Sequence, residues 1–134
     1  MNDQATLALQ CVENYLAASM AADPVKAASY TAPDFICRFT GNREFRTTSG
    51  PTEFNAARYK WVKKRILRTD VIAGNGETIV YSLGYLYGEW PDGTPFDHNR
   101  YVDRFVVRDG LIVETDVWND SAEWILDPSC RREP

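Results

Sequence analysis

The 134-residue chain contains one histidine and three cysteines, and no two cysteines form a CxxC pair. A zinc site needs clustered His or Cys ligands, so we expect no metal, and nothing implies an organic cofactor. The net charge of −4 disfavours a nucleic-acid partner, because phosphate contacts need clustered Lys and Arg. The chain has no apolar run near the roughly 20 residues of a membrane span, and its N-terminus does not resemble a signal peptide. We expect a cytoplasmic protein with reduced thiols and no membrane partner.

Aromatic residues are plentiful, with four Trp, seven Tyr and six Phe. A chain of this length is long enough for one substantial core and too short for two domains. We therefore expect a single domain over residues 1–134, with its core at about 7–126 and a loose C-terminal tail at 127–134.

Hydrophobic periodicity separates the chain into a helical part and a strand-rich part. Helical spacing predicts three N-terminal helices, over residues 6–20, 24–30 and 51–65. The basic run 60–68 then lies on the solvent-exposed face of the third helix. Strands are predicted at 34–40, 67–73, 78–90, 96–108 and 111–119, and a short helical turn at 121–126. This order predicts an α+β fold, in which the helices pack on a strongly curved, mostly antiparallel sheet and leave a conical cavity.

The strand at 96–108 places a carboxylate among residues that should face the core. Asn99, Tyr101, Asp103 and Phe105 alternate with arginines, which belong in water. Burying an unpaired charge costs several kcal/mol. Asp103 should therefore be a protonated acid with a raised pKa, or pair with an arginine such as Arg38, or accept a tyrosine hydroxyl.

The order of elements and the segment 105–114, which fits F-x-V-x-D-G-x-I-V-E and precedes an aromatic before Asp120, resemble the NTF2-like superfamily. The SnoaL-like and ketosteroid-isomerase-like members are the most similar. The resemblance implies an NTF2-like (cystatin-like) cone that takes a small apolar or aromatic ligand, and a homodimer formed through the outer face of the sheet. Because this superfold hosts many chemistries, the fold alone does not decide the function.

Matched to the ketosteroid isomerases, Tyr15 falls at their oxyanion-hole tyrosine and Asp103 at their protonated aspartic acid. Arg38 falls where they keep a general-base aspartate, and an arginine cannot take a proton near neutral pH. The adjacent Cys37 is expected to face away from the cavity. Asp120 matches the catalytic aspartate of the epoxide hydrolases, whose Arg-x-Asp pair is missing here. The two-histidine scytalone dehydratase pattern also fails, since His98 stands alone.

These matches predict an enzyme that holds an apolar carbonyl compound and catalyses enolate-type isomerisation, dehydration or cyclisation. Tyr15, Asp103 and Asp120 are the predicted catalytic residues, with Asp97 as another possible base. The predicted ligand-binding residues are Arg38, Phe54, Trp61, Tyr85, Tyr87, Asn99, Tyr101 and Trp118.

Three alternatives stay open at this level. Asp120 could simply cap the helical turn at 121–126, since Asp is a favoured N-cap residue. Arg38 could form a salt bridge with Asp103 or Glu89. The chain could also be a non-catalytic ligand-binding or scaffolding dimer, or an adaptor for a partner protein. The cavity-facing side of strand 78–90 is undecided, whereas the less charged side of the last strand, with Val113, Thr115, Val117 and Asn119, is expected to face inward.

Overall fold

The computed structural model describes residues 2–132, which form a six-stranded curved sheet with helices. The helices are α1 (Asp3–Met20), α2 (Pro24–Ala28), α3 (Ser49–Arg58) and α4 (Ser121–Leu126). The strands are β1 (Thr31–Phe39), β2 (Arg43–Phe45), β3 (Trp61–Ala73), β4 (Thr78–Glu89), β5 (Pro95–Arg108) and β6 (Leu111–Asn119). The predicted α+β class is confirmed, while the short strand β2 was not predicted.

The strand order is β2-β1-β6-β5-β4-β3, so β2 and β3 are the two edges. From β3 to β6 the chain forms the predicted antiparallel meander. β1 returns beside β6 in parallel, which makes the sheet mixed. Gly76 and Gly110 adopt φ angles of 77° and 76° in the connections before β4 and β6. Glycine reaches this left-handed region without the steric cost that a Cβ would add.

The third predicted helix is too long, because α3 ends at Arg58 and β3 begins at Trp61. The basic run 60–68 therefore lies largely on an edge strand and not on a helix face. Two glycines of β4 explain why this segment pairs with β4 as a strand and does not continue the helix. A Cβ on Gly84 would lie 2.1 Å from the Arg65 carbonyl oxygen, and one on Gly88 would lie 2.1 Å from that of Trp61. Only a strand without side chains at these two points allows the backbone of β3 to approach so closely.

The main core lies between α1 and the inner face of the sheet. Helical spacing brings Ala8, Val12 and Leu16 to one buried face of α1. They belong to one cluster with residues of β1, β4 and β5, among them Phe35, Cys37, Val80 and Phe105. A second cluster joins α4 to β4 and β5, and comprises Tyr59, Leu86, Trp90, Phe96, Tyr101 and Trp124. The helices thus close one side of the curved sheet.

The C-terminal segment, predicted to be a loose tail, contains a short turn and makes contacts with the rest of the fold. Pro128–Cys130 form a 3-10 turn, and Arg131 Nε donates a hydrogen bond to the Trp124 carbonyl at 2.8 Å. The Arg131 guanidinium also lies 4.6 Å from the centre of the Trp90 ring. Arg131 of the predicted tail thus contacts Trp124 and Trp90, while residues 133 and 134 lie outside the described part of the chain.

Within residues 2–132, no helix combines the length and the apolar character that a membrane crossing requires. The same residues contain no group of three or more His, Cys, Asp or Glu arranged to hold a metal ion.

Candidate functional site

A cavity of about 320 Å³ lies between α1, α3 and the inner face of the sheet. Its wall is largely apolar and includes Leu16, Met20, Phe39, Leu86, Phe105 and Val117. The volume is at the lower end of the range of small-molecule sites, and a few polar groups in an apolar wall are typical of them. The cavity is therefore suited to a small ligand.

An ion pair stands in this apolar wall. Lys64 Nζ on β3 donates a hydrogen bond to Asp103 Oδ2 on β5. Asp103 is 0% exposed, and its other oxygen, Oδ1, has no hydrogen-bond partner among residues 2–132. Burial raises the pKa of Asp103, and the neighbouring Lys64 partly opposes that rise. The predicted carboxylate in the core is thus present, and its partner is a lysine and not an arginine.

Two tyrosines also line the cavity. The Tyr101 ring centre lies 4.9 Å from Lys64 Nζ, and its hydroxyl is 2.9 Å from Ser82 Oγ. Tyr15 on α1 lines the cavity and packs its ring edge-on against Phe105, with 5.8 Å between ring centres. Burial raises the pKa of Tyr101 to about 12 and raises that of Tyr15 as well. Both hydroxyls therefore keep their protons at neutral pH and can donate hydrogen bonds.

Tyr15, Trp61, Tyr101 and Asp103 are the sequence-predicted site residues that line the cavity. Trp61 stands where β3 begins, is 39% exposed and donates from Nε1 to Glu89 Oε2 at 2.5 Å. The predicted inward side of the last strand is confirmed for Thr115, Val117 and Asn119, which line the same cavity. The structure thus brings together residues from α1, β3, β5 and β6.

Arg38 does not reach the cavity, and the prediction that it orients a ligand there is wrong. Its guanidinium contacts Asp116 at 2.6 Å and also Glu114, and these carboxylates raise the pKa of Arg38. The cause is the alternation of β1, in which Cys37 and Phe39 line the cavity and Arg38 points to the opposite face. The alternative of a salt bridge to Asp103 or Glu89 is also absent from the described contacts, and Cys37 faces inward, contrary to expectation.

Tyr85, Tyr87 and Trp118 lie on the outer face of the sheet and do not line the cavity in which they were predicted to bind a ligand. In β4 the small residues occupy the buried positions, and the tyrosines take the alternate, outward ones. Tyr85 packs against His98, with 5.0 Å between ring centres. The Arg65 guanidinium lies 4.8 Å from the centre of the Tyr87 ring. Trp118 is 56% exposed.

Phe54 and Asn99 are structural in this fold and do not line the cavity. Phe54 packs from α3 against Phe39, with 5.5 Å between ring centres. Asn99 is fully buried; its Nδ2 donates to Ser121 Oγ at 2.8 Å, and its Oδ1 accepts from the Asp120 amide at 3.2 Å. The inward side predicted for Asn99 is correct, but its amide joins β5 to α4 and does not face a ligand.

Asp120 and Asp97 also lie outside the cavity wall. The Asp120 carboxylate accepts a hydrogen bond from Arg100 Nε at 2.6 Å. Asp120 occupies the N-cap position of α4, as the alternative supposed, but its side chain makes no capping hydrogen bond. Asp97 accepts from Arg65 at 2.7 Å. Both carboxylates are thus engaged by arginines away from the cavity.

Lys64 is the site residue that sequence reasoning missed. The interpretation of 51–65 as a helix put Lys64 on the solvent-exposed face with the other basic residues. If 61–68 is read as a strand, Val62, Lys64 and Ile66 share one face and Lys63 and Arg65 share the other. In the structure Lys64 is paired in register with the buried Leu86 of β4. Period-two alternation was therefore the signal that would have found it.

Comparisons with known proteins agree with this fold. No protein-family model matches the chain, and no curated protein matches it. Solved structures do match over nearly the whole chain. A candidate SnoaL-like polyketide cyclase from Jannaschia sp. CCS1 is 16% identical, with 98% of each chain covered and a TM-score of 0.73. The chain has the NTF2-like fold.

Two further structures share this NTF2-like fold. An NTF2-like protein from Burkholderia pseudomallei is 14% identical over 90% of this chain and 95% of its own, with a TM-score of 0.70. A ketosteroid isomerase-like protein from Erwinia carotovora atroseptica is 14% identical over 89% and 98%, with a TM-score of 0.68. The fold predicted from the order of elements and the segment 105–114 is thereby confirmed. At identities this low the structural similarity supports the NTF2-like fold alone. The chemistry has to be argued from the residues of the cavity.

Proposed function

We propose that the chain is a cofactor-independent enzyme that binds an apolar carbonyl compound in the cavity. The proposed chemistry is enolate-type isomerisation, dehydration or cyclisation. One observation carries the proposal: Asp103 is fully buried in an apolar wall, with one oxygen on Lys64 and the other without a partner among residues 2–132. Unpaired buried carboxylate oxygens are costly and concentrate at functional sites.

In this proposal Asp103 acts as the base and not as a neutral donor. Its Oδ1 takes a proton from the carbon next to the carbonyl, and the electron pair moves onto the carbonyl oxygen. Lys64 and the Tyr15 hydroxyl donate hydrogen bonds to that oxygen. The enolate is then reprotonated at another carbon, expels a hydroxyl group, or attacks a second carbonyl group. A general base of this type contributes about 10²–10⁴ in rate.

The neighbours in fold include a candidate polyketide cyclase and a ketosteroid isomerase-like protein. Both names concern small-molecule chemistry, which supports a small-molecule role for the cavity. The choice of an enolate reaction rests on Lys64, Asp103 and Tyr15 themselves, because this fold hosts unrelated activities.

The test is exchange of carbon-bound hydrogen. The full chain is incubated in D₂O with 2-tetralone, an apolar ketone, and loss of the signals beside the carbonyl is followed by NMR. We expect acceleration by the wild type and a fall of about 10²-fold or more in Asp103→Asn. Asp120→Asn is the matched control and should exchange at the wild-type rate. Exchange that survives in Asp103→Asn contradicts the proposed base.

A ligand-binding role without chemistry is the second candidate. The Lys64 contact favours it, because the carboxylate that would act as a base already has an ionic partner. Isothermal titration calorimetry with 2-tetralone measures whether the cavity binds it. Binding together with an absence of exchange supports this second role.

We also propose that the outer face of the sheet pairs two copies of the chain, and that the protein is cytoplasmic. Leu83, Val102 and Trp118 occupy neighbouring register positions on β4, β5 and β6. Val102 and Trp118 are 37% and 56% exposed. A row of exposed apolar side chains in the middle of a sheet is typical of an interaction surface.

A further inference from the structure

We propose that Lys64 forms a covalent iminium with an aldehyde or ketone bound in the cavity, and that Asp103 carries the protons moved in this step. The inference deepens the proposed function and rests on it in one respect: the cavity must admit a carbonyl compound. It adds a nucleophile, and it changes the enolate of the proposed reaction into an enamine. Lysine amines are established nucleophiles toward carbonyl carbons.

The geometry gives Lys64 a position that its neighbours on the strand do not share. Its side chain is 21% exposed and lies along the cavity wall, with Nζ on Asp103 and near the Tyr101 ring. Lys63 next to it is exposed and is paired in register with the outward Tyr87. Lys60 has a side chain that is 60% exposed and lies 3.7 Å from Glu89. Lys60 and Lys63 also border the cavity, and Lys64 differs from them in its low exposure and its contact with the buried Asp103.

A nucleophilic amine must first lose a proton, and Asp103 is in hydrogen-bond contact to receive it. Transfer from Nζ to Oδ2 converts two charges into two neutral groups, which an apolar wall tolerates better. Burial raises the pKa of Asp103, in keeping with this direction. Tyr15 of α1, Cys37 of β1 and Tyr101 of β5 interact with Asp103, and Tyr59, Lys60 and Lys63 also line the cavity. For Tyr15, Cys37 and Tyr101 the pKa shift has one main cause. Burial raises the pKa of each, so none adds a charge at neutral pH.

The steps balance without any further reagent. The neutral Lys64 amine attacks the carbonyl carbon, a C–N bond forms, and the oxygen takes the proton from Asp103. Asp103 next accepts a proton from the nitrogen and gives it to the hydroxyl group. The C–O bond then breaks, water leaves, and the nitrogen lone pair forms the C=N bond. The cationic iminium finally stands beside the Asp103 carboxylate, which repeats the charge pattern of the resting ion pair.

The test is reductive trapping followed by mass spectrometry of peptides. The full chain is incubated with 2-naphthaldehyde and sodium cyanoborohydride at about pH 6, where ordinary lysines are almost entirely protonated. We expect Lys64 to be alkylated at least about 10-fold faster than Lys63, the exposed lysine beside it in the same molecule. Equal rates at the two lysines overturn the inference. This comparison needs no variant, so it holds even where a substitution impairs folding.

Two variants separate chemistry from structure. Lys64→Arg keeps a cation for Asp103 but has no amine, so labelling at position 64 should vanish while the circular dichroism spectrum is retained. Asp103→Asn should slow Lys64 labelling to the Lys63 rate, because the proton acceptor is gone. Labelling of Lys64 that is unchanged in Asp103→Asn overturns the proton-carrier role.

The two proposals fail in different ways. Exchange of 2-tetralone without selective trapping of Lys64 leaves the proposed base in place and ends the iminium inference. Selective trapping of Lys64 without exchange supports the iminium and ends the proposed enolate chemistry.

Discussion

The Lys64 ammonium on β3 donates a hydrogen bond to the Asp103 carboxylate on β5, so the ion pair crosses the inner face of the intervening strand β4. Two glycines of β4 allow the backbone of β3 to approach closely along this stretch. The contact thus joins an edge strand to the centre of the sheet, at the wall of the cavity. Both charges are removed from most of the solvent, which determines how each substitution should behave.

A double-mutant cycle on this pair should show strong coupling. Lys64→Met or Asp103→Leu alone leaves one charge buried without its partner, and we expect each to cost about 3–5 kcal/mol in the free energy of unfolding. The double variant replaces the pair by apolar groups and should be close to the wild type or more stable. Urea unfolding of the four proteins measures the coupling.

The outer pair of Arg100 and Asp120 is the control for that cycle. The Arg100 side chain is 78% exposed, so Asp120→Asn should not change the urea midpoint measurably. Additive losses at Lys64 and Asp103 would show that the two residues do not interact in solution.

Tyr15→Phe should separate catalysis from stability. The ring keeps its packing against Phe105 and only the hydroxyl is lost, so the urea midpoint should hardly change. Loss of one hydrogen-bond donor to a developing oxyanion costs about 10²–10³ in turnover, and we expect a fall of that order in 2-tetralone exchange. Tyr85→Phe, on the outer face, is the matched control and should exchange normally. A Tyr15→Phe variant with wild-type exchange would remove this hydroxyl from the mechanism.

The activity should fall in acid at a higher pH than for an ordinary aspartate. Asp103 must be ionised to act as a base, and burial raises its pKa above the ordinary 3.8. The exchange rate should therefore drop as the pH decreases through the raised pKa. A pH–rate profile with 2-tetralone measures the midpoint, and a midpoint at or below 3.8 would contradict the desolvated base.

The same raised pKa has the opposite consequence for stability. Between 3.8 and the raised value, the native state binds more protons than the unfolded chain does. The Asp103 contribution to stability is therefore greatest in acid and decreases as the pH rises through this window. Urea unfolding across the window should show this slope as a difference between the wild type and Asp103→Asn.

Gly84→Ala should destabilise the fold through a backbone clash. The new Cβ would lie 2.1 Å from the Arg65 carbonyl oxygen, so β3 must move away from β4. Overpacking of this type costs about 1–3 kcal/mol. Gly76→Asn is the control, because nothing lies within 4 Å of a Cβ there and Asn tolerates its positive φ. A Gly84→Ala variant as stable as the wild type would show that the two strands are not held this closely.

Local periodicity predicted most of the fold because the strands are regular. The alternation of 96–108 correctly placed Tyr101, Asp103 and Phe105 inside and Arg100 and Arg104 away from the core. The segment 60–65 was assigned wrongly, since its basic residues fit a helix face as well as an edge strand. This segment forms a strand because it pairs closely with Gly84 and Gly88 of β4. These glycines are distant in sequence, so local periodicity does not reveal the pairing.

The site was harder to predict than the fold because it depends on one-residue parity and on distant contacts. Matching to a family motif selected Tyr15 and Asp103, which line the cavity. It also selected Arg38, which faces outward, whereas the neighbouring Cys37 faces the cavity. A shift of one residue moves a strand side chain to the opposite face. The Lys64 partner of Asp103 comes from a strand on the far side of β4, which no local pattern reveals.

Substitution of the outer apolar row should convert the proposed dimer to a monomer. Trp118 is 56% exposed and pairs in register with Val102, so Trp118→Glu places a charge at the centre of the proposed interface. Sedimentation velocity should show dimer for the wild type and monomer for this variant. Leu126→Glu is the matched control, because Leu126 is 80% exposed on α4 and is not part of the outer apolar row, and it should remain dimeric. A wild type that sediments as a monomer at every concentration, or a Trp118→Glu variant that stays dimeric, would exclude this face as the interface, since a buried unpaired carboxylate at its centre could not be accommodated.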